Sequence, residues 1–184
     1  MECFDIVDEV GVPTGEIVSR TEAHKKGILH RTAHVWIVRE REGKLEVLLQ
    51  KRSEEKDSFP GYYDISSAGH IPAGDGYVES ALRELQEELG VIARPEDLIF
   101  CGQRSFSFHQ VFHGRDFQDC QVSNVYALWL DRDAADFRLQ ESEVSAVRWF
   151  DFDRCVALVS KNAIPHCIYP EELEMIRAGA CHQR

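Results

Sequence analysis

The chain lacks any apolar run approaching eighteen residues, any pair of cysteines spaced as CxxC, and any excess of basic side chains. Each absence excludes something. Without a long apolar run, no membrane-spanning helix is expected. Lys and Arg number 21 against 32 Asp and Glu, a formal net charge of -11. That balance argues against a nucleic-acid polymer as partner, because such binding sets cations along the phosphates. The six cysteines, Cys3, Cys101, Cys120, Cys155, Cys167 and Cys181, are expected to be reduced thiols, since 184 residues build a core without disulfides. The acidic start, MECFDIVDEVGVPTGE, lacks the basic and apolar segments of a secretory leader, so a cytoplasmic location is expected. Internal repeats and low-complexity segments are also missing. A small phosphorylated ligand remains allowed, because a bound cation can carry that attraction locally.

What is present reads as one α+β domain spanning 1–184. FDIVDE and GEIVSR alternate around GVPT as a hairpin, and TEAHKKG follows as a short helix ended by Gly27; together these make an N-terminal extension, 1–31. HVWIVRE and KLEVLLQKR read as strands joined near Gly43. Residues 53–76 are rich in Ser, Gly and Pro and read as loop, with a short strand at Tyr63–Ser66. Further strands are expected near 98–108, 122–130 and 145–150, and a helix over 151–160. These complete a core over 32–160. A C-terminal helical segment, 161–184, holds a helix over about 170–178 that Pro170 can start.

The most informative stretch is GHIPAGDGYVESALRELQEELGV, Gly69 to Val91. Val78, Leu82, Leu85 and Leu89 form one stripe at helical spacing. Gly76 can cap the helix start and Gly90 its end. Glu84 and Glu88 stand one turn apart at the edge of that stripe, with Glu87 slightly further round. Like charges at that spacing repel by roughly 0.2–0.5 kcal/mol, and a divalent cation would offset the repulsion. Carboxylate oxygens are what Mg2+ prefers. Arg83 is four residues from Glu87 and can hold it by a salt bridge. A solvated acidic face is the alternative reading. The glycines before the helix allow the backbone close to a ligand.

This stretch resembles the signature of the Nudix hydrolases: Gly69, then Arg83, Glu84, Leu85, Glu87, Glu88, Gly90 and Val91 fall at its fixed positions, with Asp75 where glutamate is usual. The resemblance implies an α/β/α sandwich around a mixed β-sheet, with the signature as loop–helix–loop. It implies that Glu84, Glu87 and Glu88 and the Gly69 carbonyl hold Mg2+ or Mn2+, and that Arg83 orients a glutamate. It implies hydrolysis of a phosphoanhydride bond in a nucleoside diphosphate linked to another group, or in a related organic diphosphate. Glu88 or Glu87 would accept the proton of the attacking water.

HRTAHVWI, LLQKRS and SFPGYYDISSAGH add a resemblance to isopentenyl-diphosphate isomerases and their hydrolase-like relatives. It implies a metal cluster of His24, His30, His70 and Asp119, a set of imidazoles and a carboxylate that suits Mn2+ or Zn2+. Ala68 stands where the isomerases carry their catalytic cysteine, and Gln121 where they carry a second glutamate; both argue against isomerase activity. Lys51, Arg52 and Arg104 are candidate phosphate contacts, and Tyr62 and Tyr63 candidate stacking partners of a substrate. A diphosphate-binding module without catalysis is the competing class. A homodimer is compatible with the chain.

Overall fold

Ten consecutive buried residues mark the middle of the sheet. The computed structural model describes residues 2–56, 58–112 and 114–181. In it, β3 (His30–Arg41) is buried from His30 to Arg39, as befits a strand covered on both faces. β3 runs parallel to β8 (Arg115–Trp129) and antiparallel to β4 (Lys44–Arg52). β7 (Leu98–Phe112) pairs with β8, β5 (Tyr63–Asp64) and β9 (Val144–Asp151) with β4, and β6 (Ser67–His70) with β3. The sheet is therefore mixed. A separate hairpin of β1 (Cys3–Val7) and β2 (Pro13–Ser19) precedes it.

Side chains alternate across β3. Trp36 and Val38 pack with Phe152, Val159, Leu173 and Ile176, from α3 (Phe152–Ser160) and α4 (Pro170–Cys181). Ala33, Val35 and Ile37 pack with Ala81, Leu85 and Leu89, from α2 (Tyr77–Leu89). The result is the expected sandwich of helices about a mixed sheet. Cys101, Cys120, Cys155 and Cys167 are free thiols, and no described helix is long and apolar enough to cross a membrane.

Three local expectations are corrected. The strand expected at Tyr63–Ser66 covers only Tyr63–Asp64, and a second short strand, Ser67–His70, follows where loop was expected. Between them the Ser66 hydroxyl donates to the Leu48 carbonyl at 2.6 Å and accepts from the Ile37 amide at 2.7 Å, so a side chain replaces the ladder there. β7 and β8 run further than 98–108 and 122–130. Their outer halves, SFSFHQVF and RDFQDCQV, are too polar to register as core, yet they pair in register from Phe108↔Asp119 to Phe112↔Arg115. The buried face of α2 is turned from the expected stripe: Ser80, Ala81, Leu85, Glu88 and Leu89 are buried, whereas Val78 and Leu82 are only half-buried. Glu88 lies on that face, not at its edge.

The N-terminal hairpin closes over the start of β3. Asp5 accepts from Arg31 at 2.7 Å and from the Gly74 amide at 2.9 Å. The Ala73 amide donates to the Cys3 carbonyl at 2.9 Å. α1 (Arg20–Lys26) is capped by Ser19 at its start and by left-handed Gly27 at its end, and it brings His24 under the hairpin.

Candidate active site

β3 changes partner midway, from β6 at Thr32–Val35 to β4 at Val38–Arg41. Beside that fork lies a cavity of about 720 Å³. Three walls meet in it: the acids of α2, a histidine cluster, and a charged wall under α4.

On the first wall, Glu84, Glu87 and Glu88 all line the cavity, with Gly69. Glu88 is buried, and its Oε2 makes no hydrogen bond among the described residues. Burial, with the Glu84 charge adding, pushes its carboxyl up to about 8. Burial also raises Glu84, against the pull of Arg83. Glu87 is the exposed member. Arg83 donates to Glu84 Oε1 at 2.8 Å and to the His70 carbonyl at 3.3 Å, while Glu87 stands at 4.0 Å. The expected Arg83–Glu87 bridge is thus the weaker one, and Glu84 is the glutamate that Arg83 holds. Asp75 joins the same guanidinium at 3.4 Å. Gly69 is required by contact: a Cβ there would lie 2.2 Å from Glu84 Cδ.

The second wall gathers His24 from α1, His70 from β6 and Asp119 from β8, and fully buried His30 from β3 joins them. One ligand atom of each lies within 4.8 Å of all the others. His24 Nε2, His30 Nε2, His70 Nε2 and Asp119 Oδ1 have no hydrogen-bond partner among the described residues. Burial lowers all three imidazoles, His24 to about 4 and His70 well below its ordinary value, and raises Asp119. Buried polar atoms without partners are rare, and four facing one another are what a divalent cation would satisfy. The His30 ring hydrogen-bonds the Ile28 carbonyl through Nδ1 at 2.8 Å, which leaves Nε2 as a lone pair. Phe4 stacks on His30 and His70 at 4.9 and 4.8 Å between ring centroids. Gln121 is not a charged ligand; it donates to Asp119 Oδ2 at 2.6 Å and so turns Oδ1 toward the histidines. The donor set fits a metal ion.

Of the third wall, Arg52 and Arg104 were expected from the sequence as phosphate contacts, and Glu172, His34 and Lys56 were not. Glu172, at the start of α4, accepts from His34 Nδ1 at 2.8 Å, Trp36 Nε1 at 3.0 Å and Arg104 at 3.2 Å. Arg52 lines the cavity and is held by Asp64 at 3.0 Å and by the Ser58 carbonyl. Lys56 forms an ion pair with Glu143 at the cavity. Nothing local marks Glu172, since an acid in the first turn of any helix suits the helix dipole. His34 sits inside an apolar strand, four residues after His30, and its type was the only signal.

Of the expected substrate contacts, Arg52 lines the cavity, whereas Lys51, Tyr62, Tyr63 and Arg104 do not. Lys51 points to Glu54 at 3.9 Å. Tyr63 packs edge-on against Phe150, and Tyr62 lines a separate shallow pocket with His166. Arg104 lies behind Glu172, over the rings of Phe106 and Tyr169. An aromatic or a cation in a loop carries no label for the side of the sheet it will face.

Known proteins share this arrangement of chain. The NUDIX domain matches residues 28–170. Nudix hydrolase 3 of Arabidopsis thaliana is 42% identical over 165 residues, covering 88% of this chain; the chain spans only 21% of that protein's length. A Nudix hydrolase of Clostridium acetobutylicum, named as uncharacterized, is 39% identical over 153 residues, covering 83% of this chain and 71% of its own. Among solved structures, a Deinococcus radiodurans protein superposes with a TM-score of 0.69 at 20% identity, over 94% of this chain and 98% of that one. The chain belongs to the NUDIX domain family and is a Nudix-type hydrolase.

Proposed function

We propose that this protein is a metal-dependent hydrolase that cleaves a phosphoanhydride bond in a nucleoside diphosphate linked to another group, or in a related organic diphosphate. The observation that carries this reading is the convergence on one cavity of the α2 acids with His24, His70 and Asp119, whose ligand atoms, with that of fully buried His30, face one another without a hydrogen-bond partner among the described residues. Glu84, Glu87, Glu88 and the Gly69 carbonyl would hold one Mg2+ or Mn2+ site, and the histidine cluster with Asp119 a second that suits Mn2+ or Zn2+. Bound cations supply charge neutralisation of the diphosphate and a more acidic water.

The chain's own residues do the rest. Glu88, poised by burial at about 8, is placed to accept a proton from the attacking water. Exposed Glu87 at the cavity mouth is the other candidate base. Arg83 fixes Glu84. Arg52, already oriented by Asp64, turns a cation toward the phosphoryl oxygens. Ala68 offers no thiol at the place where the isomerases carry theirs, which supports hydrolysis over isomerisation. Because α1 supplies His24, the N-terminal extension belongs to the same working unit as the core, and we read 1–184 as one domain.

The test is turnover. Purified protein with Mg2+ or Mn2+ is offered nucleotide sugars, dinucleotides, nucleoside triphosphates and isoprenoid diphosphates, and released nucleotide or phosphate is measured. Metal-dependent release from at least one class is expected. Tight binding of a diphosphate that stays chemically unchanged with either metal would instead establish a non-catalytic binding module.

A further inference from the structure

At one wall of the cavity two basic side chains, His34 on the lining and Arg104 away from it, share one carboxylate. Glu172, 1% exposed, faces both His34 at 2.8 Å and Arg104 at 3.2 Å. The neighbouring pair, Arg52 with Asp64 at 3.0 Å, is balanced. Burial works against charge on His34, but the charge of Glu172 and its hydrogen bond outweigh it and hold the imidazole above its ordinary range. A buried cation in excess is costly unless an anion comes to meet it. Asp64 also acts on His34 but is paired with Arg52, and a phosphoryl group in the cavity would supply the further anion.

The geometry singles out one donor. His34 gives Nδ1 to Glu172, so its outward nitrogen is Nε2. The nearest partner of Nε2 is Thr32 Oγ1 at 3.3 Å, a long contact. That hydroxyl is already engaged by Ser123 Oγ at 2.7 Å and Gln121 Oε1 at 3.2 Å. Ala68 stands opposite His34 in the β3–β6 register, and residues directly opposite in an antiparallel pair share a face. On the β6 side the ring therefore meets a methyl group, and His34, Ala68 and Glu84 line the same cavity.

Resting on the hydrolase reading above, we propose that His34, clamped by Glu172, is a substrate-contacting residue that donates its Nε2–H to a non-bridging phosphoryl oxygen of the diphosphate. The diphosphate would then lie between an acidic wall that holds cations and a cationic wall that holds its oxygens. Glu172 and Trp36 act through His34 as positioning residues, fixing the ring and its tautomer.

Inorganic pyrophosphate is the probe, with Mg2+ present and inorganic phosphate as control. Calorimetry on the parent protein, His34→Gln and His34→Leu should give a dissociation constant weaker by about tenfold or more in His34→Leu, with His34→Gln between, because a glutamine keeps an N–H and loses the charge. For any substrate turned over, KM should rise by the same factor while kcat changes less than threefold. Nitrogen NMR of the histidine rings in the parent protein needs no variant: pyrophosphate should move the His34 Nε2 resonance, and phosphate should move it less. Unchanged pyrophosphate affinity in both variants, or a His34 resonance that ignores pyrophosphate, overturns the proposal. Turnover with an unaltered KM in His34→Gln overturns it while leaving the hydrolase intact. Pyrophosphate binding through His34 without turnover of any substrate supports it and removes the hydrolase reading instead.

Discussion

Glu88 is turned into the protein by the same helical turn that leaves Glu87 in solvent. Its carboxyl is held up to about 8 by burial, above the ordinary 4.5, so its contribution to stability has a definite sign. It is fully present below pH 4.5 and is lost as the pH rises toward 8, because the folded state must then bury a charge that the unfolded chain solvates. Without metal, the parent protein should lose stability over that range. Glu88→Gln should lose less and exceed the parent at pH 9 by at least about 1.4 kcal/mol, the worth of one pKa unit. Urea unfolding at pH 5 and pH 9 in chelator reads this directly, and parallel curves for the two proteins would show that the carboxyl is solvated after all. Turnover of Glu88→Gln should fall by about 10²–10⁴-fold if Glu88 is the general base; full activity at limiting and saturating Mg2+ would make it neither base nor essential ligand. The sequence held the identity and spacing of this residue. It did not hold the residue's depth, because 100° steps place Glu88 beside Leu85 on paper, and only the neighbouring β6 decides which side of that sector is covered.

Helices α2 and α4 couple the core to the site by different means. α2 is anchored by Leu85, fully buried against the sheet. Leu85→Ala should cost about 2–5 kcal/mol and leave metal binding intact in the folded fraction, as thermal melting and calorimetry would show. α4 is anchored through Glu172, which ties it to His34 and Trp36 on β3. Removing that charge strands two cations, so Glu172→Gln should cost about 3–5 kcal/mol. The cost depends on pH. Burial opposes charge on both partners, but each outweighs it for the other, lowering Glu172 and raising His34. The pair's contribution is therefore whole between about pH 4.5 and 6.5, falls on acidification as Glu172 protonates, and falls as the pH rises through the elevated value of His34. A gap between parent and Glu172→Gln that stayed constant from pH 6 to 9 would mean that His34 carries no charge. α2 was legible because its period, its Gly90 stop and its charge spacing all agree. α4 was legible as a helix, but its link to β3 joins residues 138 apart in sequence, and no local pattern encodes such a partner.

At the scale of the whole molecule, four elements close on one point: α1 brings His24, β3 brings His30, β6 brings His70 and β8 brings Asp119. These four were named from the resemblance alone; periodicity and spacing would not have assembled them, because their meeting depends on the parallel register of β3 with β8, which sets His30 against Gln121. Such a cluster should behave as a folding device. On its own it buries ligand atoms that hydrogen-bond none of the described residues and imidazoles that resist protonation. A cation that binds only the folded arrangement stabilises it by mass action, about 2.7 kcal/mol at a hundred times its dissociation constant. For a chain of this size that corresponds to a rise in Tm of about 5–11 °C. Mn2+ or Zn2+ should produce that rise in the parent protein, and His30→Gln, which removes a ligand from the β3 end, should largely abolish it. The signature acids should be separable from it: Glu84→Gln should weaken the response to Mg2+ while leaving the Zn2+ shift in place. If Zn2+ moves the melting of the parent and of His30→Gln equally, the cluster is a buried polar knot held by packing around Phe4, and the metals of this protein are those of α2 alone.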